Sequence, residues 1–267
     1  MQLFTPLIPD ATAPLARANP VAKLGAGALL LLALFGSLDG VTASIFLVGL
    51  LAAMPFSGLS ARALLGRAWL IGLAAVSIGV VNILLAAQQA GPILLELGPL
   101  RIGSETLLDG AGLIARLVAI ALTGILATAT SQPTDLSDAL VQQLRVSPRF
   151  AIGALAALRL IPLLAIEWET IAMARRARGV EAGWSPLAVA RLFAGQLLGL
   201  LVAAIRRGSR MALAMEARGF GAQPCRTVAR VQRMTLADWA WIGAAAALAG
   251  TAIGVSLALG TWRPLVG

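Results

Sequence analysis

The chain has 267 residues, of which 59% are hydrophobic and only 12% charged, and its mean hydropathy is +0.88. This composition excludes a water-soluble globular domain and indicates a membrane protein. With no His and a single Cys, the chain lacks the residues for a Ser-His-Asp triad, an imidazole metal ligand, a disulfide within the chain or a Cys-based zinc cluster. We therefore expect no catalytic residue, no metal site and no cofactor.

Five apolar stretches approach the length of about twenty residues that a helix needs to cross a bilayer. They lie at 21–37, 41–56, 68–88, 111–130 and 238–258. The first two are short and are joined only by Ser37–Gly40, which predicts a tight helical hairpin. The first twenty residues contain four Pro and no early basic cluster, so we expect an irregular tail rather than a cleaved signal peptide.

The basic residues predict the orientation of these spans. Arg17 and Lys23 precede the first span, and two Arg residues lie between the second and the third. Segment 131–235 holds fourteen Arg against six acids, whereas segment 89–110 is mainly acidic. Because Lys and Arg are retained on the cytoplasmic side, we expect the N-terminus and 131–235 inside, and 89–110 and the C-terminus outside.

The predicted fold is an all-α membrane protein with about five transmembrane helices and a module of helices at the cytoplasmic face. Residues 1–130 form the N-terminal tail and four transmembrane helices, 131–235 the cytoplasmic helix module, and 236–267 the last transmembrane helix with a short tail. The module is predicted to contain one short and two long amphipathic helices.

The helices of the module are marked by start and stop signals. Apolar residues recur at helical spacing from Asp135 to Arg145, with acids in the first turn and Arg145 in the last, where each sign suits the helix dipole. Ser-Pro pairs at 147–148 and 185–186 open two longer segments, and Arg-Gly pairs at 178–179 and 218–219 close them. Ser as N-cap, Pro at the first helical position and Gly just beyond the end predict two helices of about thirty residues.

Each long helix is apolar enough to be read as a membrane span, but the charges argue against that reading. Crossing the bilayer would bury Arg159 and Arg191 in hydrocarbon and place an Arg-rich turn outside. We therefore expect both helices at or under the cytoplasmic face, with apolar sides toward lipid or protein. Pro162 is expected to kink the first helix, and Gly195 and Gly199 share one face of the second. We predict that the two helices cross near these three residues.

The two long helices end in the same triplet, Ala177-Arg178-Gly179 in the first and Ala217-Arg218-Gly219 in the second. We call these triplets the two tips. An Arg beside the helix dipole followed by Gly is also an ordinary way to end a helix. Two equivalent tips favour a further role, in which each presents a guanidinium group to an acidic pocket of a soluble partner. Two tips indicate two copies of one partner fold.

The short helix, the stretch from Pro162 to Glu169 and the paired tips resemble the transmembrane T component (EcfT/CbiQ-like) of energy-coupling factor (ECF) transporters. These are bacterial and archaeal ATP-driven importers of vitamins and transition-metal ions. The resemblance covers nearly the whole chain in layout, and its specific part is the pair of tips. It implies a multi-pass protein of the bacterial or archaeal cell inner membrane.

The resemblance also implies partners and site residues. The tips would dock on two ATP-binding-cassette ATPase subunits, identical or different, while the apolar sides of the long helices hold a separate substrate-binding membrane subunit, the S component. Arg178 and Arg218 would contact the ATPases, and the glycine after each would permit a sharp exit of the chain. Arg176 would assist at the first tip, whereas Glu216 stands at the equivalent position of the second. The chain would transmit ATP-driven motion of the ATPases to the S component.

Other functions fit the sequence less well. A self-contained secondary transporter or channel, the main alternative, should carry polar residues and broken helices within its spans, and few are present. A lipid-processing enzyme would need clustered acids, and only Glu167 and Glu169 lie close together near the membrane. The only Lys, Lys23, is not in a P-loop, so ATP must be hydrolysed elsewhere. The basic excess lacks the soluble, aromatic-bearing face of a nucleic-acid-binding protein.

Overall fold

The protein is an all-α membrane protein in which one short β-hairpin is inserted. The computed structural model describes residues 12–85, 92–97, 100–180, 185–221, 228 and 230–262. Within these ranges the helices are α1 (Pro14–Arg17), α2 (Pro20–Gly36), α3 (Gly40–Ala53), α4 (Ala61–Leu85), α5 (Ser104–Ala129), α6 (Pro133–Gln143), α7 (Pro148–Ala177), α8 (Pro186–Ala217) and α9 (Leu236–Ala258). The strands are β1 (Ile93–Leu97) and β2 (Leu100–Gly103), which pair antiparallel.

The described residues form two compact units. One lies between residues 140 and 231 and contains α7 and α8; the other comprises the described residues before 140 and after 231. In the second unit, α2, α3, α5 and α9 enclose one apolar core, in which Leu34 and Phe46 are completely buried and Leu122 and Ala249 nearly so. Helix α4 packs against α5 and leaves most of its large apolar side chains exposed, as a helix in contact with lipid does.

Glycines allow the helices around α5 to approach closely. A Cβ atom built on Gly112 of α5 would lie 2.5 Å from the Cα atom of Gly40, at the start of α3. Gly110, two residues earlier on α5, lies against α4: a Cβ atom built there would collide with the side chain of Ile83 and would lie 3.4 Å from the carbonyl oxygen of Gly79. Small residues at such contacts let the backbones of membrane helices pack together, so these glycines fix the spacing of α3, α4 and α5.

Each predicted span coincides with an apolar helix: α2, α3 with the 3-10 turn Met54–Ser57, α4, α5 and α9. The tight connection between α2 and α3 is also present, and Asp39 caps α3 by accepting the backbone N–H of Thr42 at 2.7 Å. The segment 89–110, predicted as an external loop, contains regular structure: the β-hairpin lies within it, and α5 already begins at Ser104. The predicted N-terminal tail lies largely outside the described residues, which show only the single turn α1 in it.

By length and composition, six helices of the described part could cross a membrane: α3 with its 3-10 turn, α4, α5, α7, α8 and α9. Helix α2 is apolar but has only 17 residues. The two long helices of the module therefore do not differ from the predicted spans in hydropathy. Their placement at the cytoplasmic face remains a prediction that rests on the distribution of Arg.

The short helix α6 ends earlier than predicted. Arg145 was expected in its last turn, but α6 ends at Gln143 and Arg145 adopts a left-handed conformation with φ +53°. The N–H of Val146 donates to the carbonyl of Leu140 at 3.2 Å, which closes the helix before Arg145. That prediction was wrong because local backbone hydrogen bonds, rather than the favourable charge, decide where the helix stops.

Helices α7 and α8 begin and end where the sequence predicts. Ser147 and Ser185 occupy the N-cap positions, but neither side chain makes a capping hydrogen bond, so Pro at the first helical position is the signal that operates. Helix α7 continues through Pro162. Apolar residues concentrate on one side of α6 and α8, whereas in α7 the charged residues are distributed around the helix.

Candidate functional site at the C-terminal ends of α7 and α8

The first tip is a complete Schellman end, in which a residue of positive φ reverses the chain. Gly179 has φ +73°, and its N–H donates to the carbonyl of Arg176 at 2.9 Å. The N–H of Val180 donates to the carbonyl of Arg175 at 3.0 Å. These two hydrogen bonds satisfy carbonyls that the helix end would otherwise leave unpaired, and glycine adopts the required conformation without steric cost.

The second tip repeats this geometry almost atom for atom. Gly219 has φ +72°, and its N–H donates to the carbonyl of Glu216 at 2.9 Å. The N–H of Phe220 donates to the carbonyl of Met215 at 3.0 Å. Arg218 occupies the same cap position as Arg178, with backbone angles of −87° and 10° against −89° and 5°. The shared sequence therefore produces a shared backbone, which holds each Arg at the same point of its helix end.

Both tips are open to their surroundings. Ala177, Arg178, Ala217 and Arg218 are exposed. Among the described residues, neither Arg178 nor Arg218 is engaged in an ion pair or side-chain hydrogen bond. An exposed guanidinium group keeps five N–H donors in a planar fork, which matches a carboxylate pair on a partner.

The charge around the two Arg residues differs. At the first tip Arg176 is exposed beside Arg178, whereas at the second tip the exposed residue in the same position is Glu216. The first tip therefore presents two positive charges and the second a positive and a negative one. Two surfaces of the same backbone shape but different electrostatics can be recognised by different acidic pockets.

Arg175, which the sequence analysis did not single out, points across to α8. Its Nη1 donates to the carbonyl of Leu192 at 3.3 Å, and its guanidinium lies against Gly195, where a Cβ atom would be only 2.7 Å from Nη1. A larger residue at 195 would displace the guanidinium group of Arg175 from this position. The sequence does contain a signal for this contact, because Arg175 lies four residues after Ile171 and therefore on the same face of α7. Ile171 lies next to Gly199 in the same interface, with its Cδ1 atom 3.6 Å from a Cβ atom built on that glycine.

Further contacts show that α7 and α8 run antiparallel past each other. Glu167 forms an ion pair with Arg207 at 3.6 Å, and the rings of Trp168 and Phe193 meet edge to face at 5.4 Å. Residue numbers along α8 rise from 192 to 207 as those along α7 fall from 175 to 167. Antiparallel packing places the tips at opposite ends of this contact. Pro162, predicted as part of the crossing, lies outside these particular contacts.

No metal-binding constellation accompanies the tips: within the described ranges, no group of three or more His, Cys, Asp or Glu side chains could hold an ion. The ionisable groups of the tips are guanidinium and carboxylate groups on the protein surface. Such an arrangement offers charges and hydrogen-bond donors to its surroundings and is not set in a cleft.

Comparison with known proteins identifies a family for this fold. The model of the CbiQ family, described as cobalt transport protein, matches residues 11–227. An energy-coupling factor transporter transmembrane protein EcfT from Listeria innocua is 34% identical over 172 residues, which are 61% of this chain and 64% of that protein. A protein of the same name from Thermosediminibacter oceani is 34% identical over 158 residues, 56% of this chain and 60% of that protein.

The Bacillus subtilis protein of that name is 30% identical over 138 residues, 49% of this chain and 52% of its own length. The chain thus spans somewhat less than two thirds of the length of these curated relatives. The family match, in contrast, extends from before α1 to beyond the second tip and covers well over half of the chain. The chain therefore belongs to the CbiQ family, and its apolar helices make it a membrane protein that is similar to the energy-coupling factor transporter transmembrane proteins named above.

Proposed function

We propose that this protein is a non-catalytic coupling subunit, which transmits ATP-driven motion of two ATP-binding-cassette ATPase subunits to a substrate-binding membrane subunit. The observation that carries the proposal is the pair of exposed, identically capped Arg ends. A single end of this kind is an ordinary helix terminus. Two ends with the same backbone and an exposed guanidinium group each are what binding to two copies of one partner fold requires.

The packing of α7 and α8 supplies a route for the motion. The two tips lie at opposite ends of the contact between these helices, so a change in the distance between the bound ATPases alters the angle at which the helices cross. The contact at Gly195 and Gly199 is close, and close-packed helices move as rigid rods between discrete arrangements. The exposed apolar side chains of both helices would hold the substrate-binding subunit.

In this proposal the module and the N-terminus face the cytoplasm of a bacterial or archaeal cell, where the ATPases reside. The substrate, a vitamin or a transition-metal ion, would bind to the separate membrane subunit. The asymmetry between Arg176 and Glu216 would suit two different ATPases and is compatible with one protein used twice.

The test reverses the charge at both tips. We expect that the double variant Arg178→Glu, Arg218→Glu fails to co-purify with the co-expressed ATPase subunits, with recovery reduced at least about tenfold. Truncating one partner of a charge pair at an interface costs about 2–5 kcal/mol, and reversal adds repulsion. Each single variant should retain part of the binding because the other tip remains intact.

The control makes the same change of charge on the same two helices away from the tips. Arg159 in α7 and Arg191 in α8 are exposed and form no ion pair among the described residues. Arg159→Glu, Arg191→Glu should therefore recover the ATPases as the unaltered protein does. Undiminished recovery with both tips reversed would count against the proposal. Uptake by this chain alone in liposomes, driven by an ion gradient, would instead favour a secondary transporter.

A further inference from the structure

A buried lysine in the unit that contains α2, α5 and α9 forms no ion pair within 4 Å with any described residue. Lys23, the only Lys of the chain, lies in the first turn of α2 and is 5% exposed. Its Nζ donates to the carbonyl of Thr130 at 2.8 Å and to that of Ala16 at 3.2 Å. An ammonium group has three N–H donors, so one remains for another acceptor.

The nearest acid does not supply that acceptor. Asp238, 2% exposed, accepts the N–H of Asn19 at 2.6 Å on one oxygen, and the N–H and hydroxyl of Thr235 at 2.7 and 2.8 Å on the other. These bonds hold the start of α9. Asp238 and Asp135 attract Lys23 electrostatically, but neither forms an ion pair with it. A buried cation without an ion pair is costly, which indicates that an anion completes this site.

Lys23 lies where two cavities meet, one lined by apolar side chains and a larger one whose lining also contains charged and polar residues, which we call the polar cavity. An apolar cavity of about 260 Å³ opens between α2, α3, α5 and α9 and is lined by side chains such as Leu30, Leu126 and Leu248. A polar cavity of about 980 Å³ adjoins it. Lys23 and Trp241 line both cavities. Trp in membrane proteins is enriched at the boundary between hydrocarbon and headgroups, which agrees with its place between an apolar and a charged cavity.

The charges around the polar cavity favour an anion. Its lining contains three cationic side chains, Arg17, Lys23 and Arg233, and two acidic ones, Asp135 and Asp238. Both carboxylate oxygens of Asp238 are already hydrogen-bonded, whereas Lys23 keeps a donor for a ligand. The predicted orientation of α2 places this end at the cytoplasmic leaflet, where anionic lipids are concentrated.

We propose that an anionic phospholipid occupies the two cavities, with its phosphate accepting a hydrogen bond from Lys23 and part of one acyl chain in the apolar cavity. A free phosphate would fill only the polar cavity, and a zwitterionic lipid would bring a further positive charge beside Arg17, Lys23 and Arg233. The site does not involve either tip, so the inference is independent of the docking of ATPases. The lipid would join α2, α5 and α9 where the chain leaves α5 toward α6.

The test is native mass spectrometry of the whole chain in mild detergent, with equal amounts of phosphatidylglycerol and phosphatidylcholine added. We expect phosphatidylglycerol to be retained at least about tenfold more strongly. Both lipids carry a phosphate, so the preference measures the net charge of the headgroup beside the cationic side chains. Lys23→Met should therefore reduce the preference about tenfold, and Lys23→Arg, which keeps the charge, should retain it. Arg210→Met, the same loss of charge at an exposed residue of α8, should leave retention unchanged.

A second pair of variants tests the acyl chain without touching Lys23. Ala244 lines the apolar cavity, and Ala246 on the same helix is exposed and does not. Ala244→Phe should reduce retention of phosphatidylglycerol about tenfold, and Ala246→Phe should not change it. Equal retention of both lipids, unchanged retention in Lys23→Met or Ala244→Phe, or displacement of the lipid by millimolar inorganic phosphate would each overturn the proposal. If Lys23→Met does not fold, the comparison of phosphatidylglycerol retention between Ala244→Phe and Ala246→Phe tests the proposal.

Discussion

The glycine at each tip can be tested separately from any partner, because its role is conformational. Gly219 has φ +72°, and a Cβ atom built there would meet nothing within 4 Å. Replacing it with Ala therefore adds no clash, and the cost comes only from forcing an L-residue into the left-handed region. That cost is about 1–2 kcal/mol. Relief of the strain requires opening the Schellman end, which frees the N–H groups of residues 219 and 220.

The free-energy cost of the Gly219→Ala replacement can be measured by amide hydrogen exchange. If opening the last turn of α8 becomes easier by about 1–2 kcal/mol, these amide protons exchange about 5- to 30-fold faster in the Gly219→Ala variant. Millisecond hydrogen–deuterium exchange with mass spectrometry measures this for peptides that cover the end of α8. The corresponding peptides of α7 should be unchanged, and Gly179→Ala should give the reverse pattern.

Two controls separate the conformational argument from a general effect of glycine replacement. Gly208 lies within α8 with open space at its Cβ position, so Gly208→Ala should stabilise the helix by up to about 1 kcal/mol. Asn tolerates the left-handed region, so Gly219→Asn should exchange more slowly than Gly219→Ala. Equal exchange rates for the Ala variant, the Asn variant and the unaltered protein would refute the reasoning.

Three further predictions concern the transmembrane unit and are measured by thermal unfolding in detergent. Gly112→Ala should be less stable than Gly124→Ala by about 1–3 kcal/mol, since both gain helix propensity but only the former pushes a methyl group into Gly40. Burial alone would raise the pKa of Asp39, but the hydrogen bonds that its carboxylate accepts outweigh burial, and the net effect is a lowered pKa. The ionised carboxylate therefore stabilises the folded protein above about pH 4, and this contribution is lost on acidification. Asp39→Asn should therefore remove part of the acid-induced fall in melting temperature; an equally steep fall would contradict this. Thr235→Ala, which deletes the capping box of α9, should cost about 1 kcal/mol.

The sequence predicted the two tips because their signals are local. Pro148 and Pro186 set the first helical turns, and Gly179 and Gly219 end the helices through conformations that depend on a few neighbouring residues. Local backbone chemistry was equally decisive where the prediction failed. Arg145 satisfies the dipole rule in sequence, but the chain turns before it.

The sequence also determined the number of apolar segments and the fold class, since hydropathy needs no knowledge of neighbours. Tertiary structure alone decided which polar groups meet inside the bundle. Lys23 and Asp238 are more than two hundred positions apart along the chain, and each looks like an ordinary residue at the edge of a span until α2 and α9 pack together. Likewise, the sequence does not distinguish Arg175 from the neighbouring Arg residues, and only the packing of α7 on α8 shows that its guanidinium group lies beside Gly195. Helix signals act over a few residues, whereas burial and pairing depend on contacts between distant segments, and for that reason the sequence predicted the helices and tips but not these clusters.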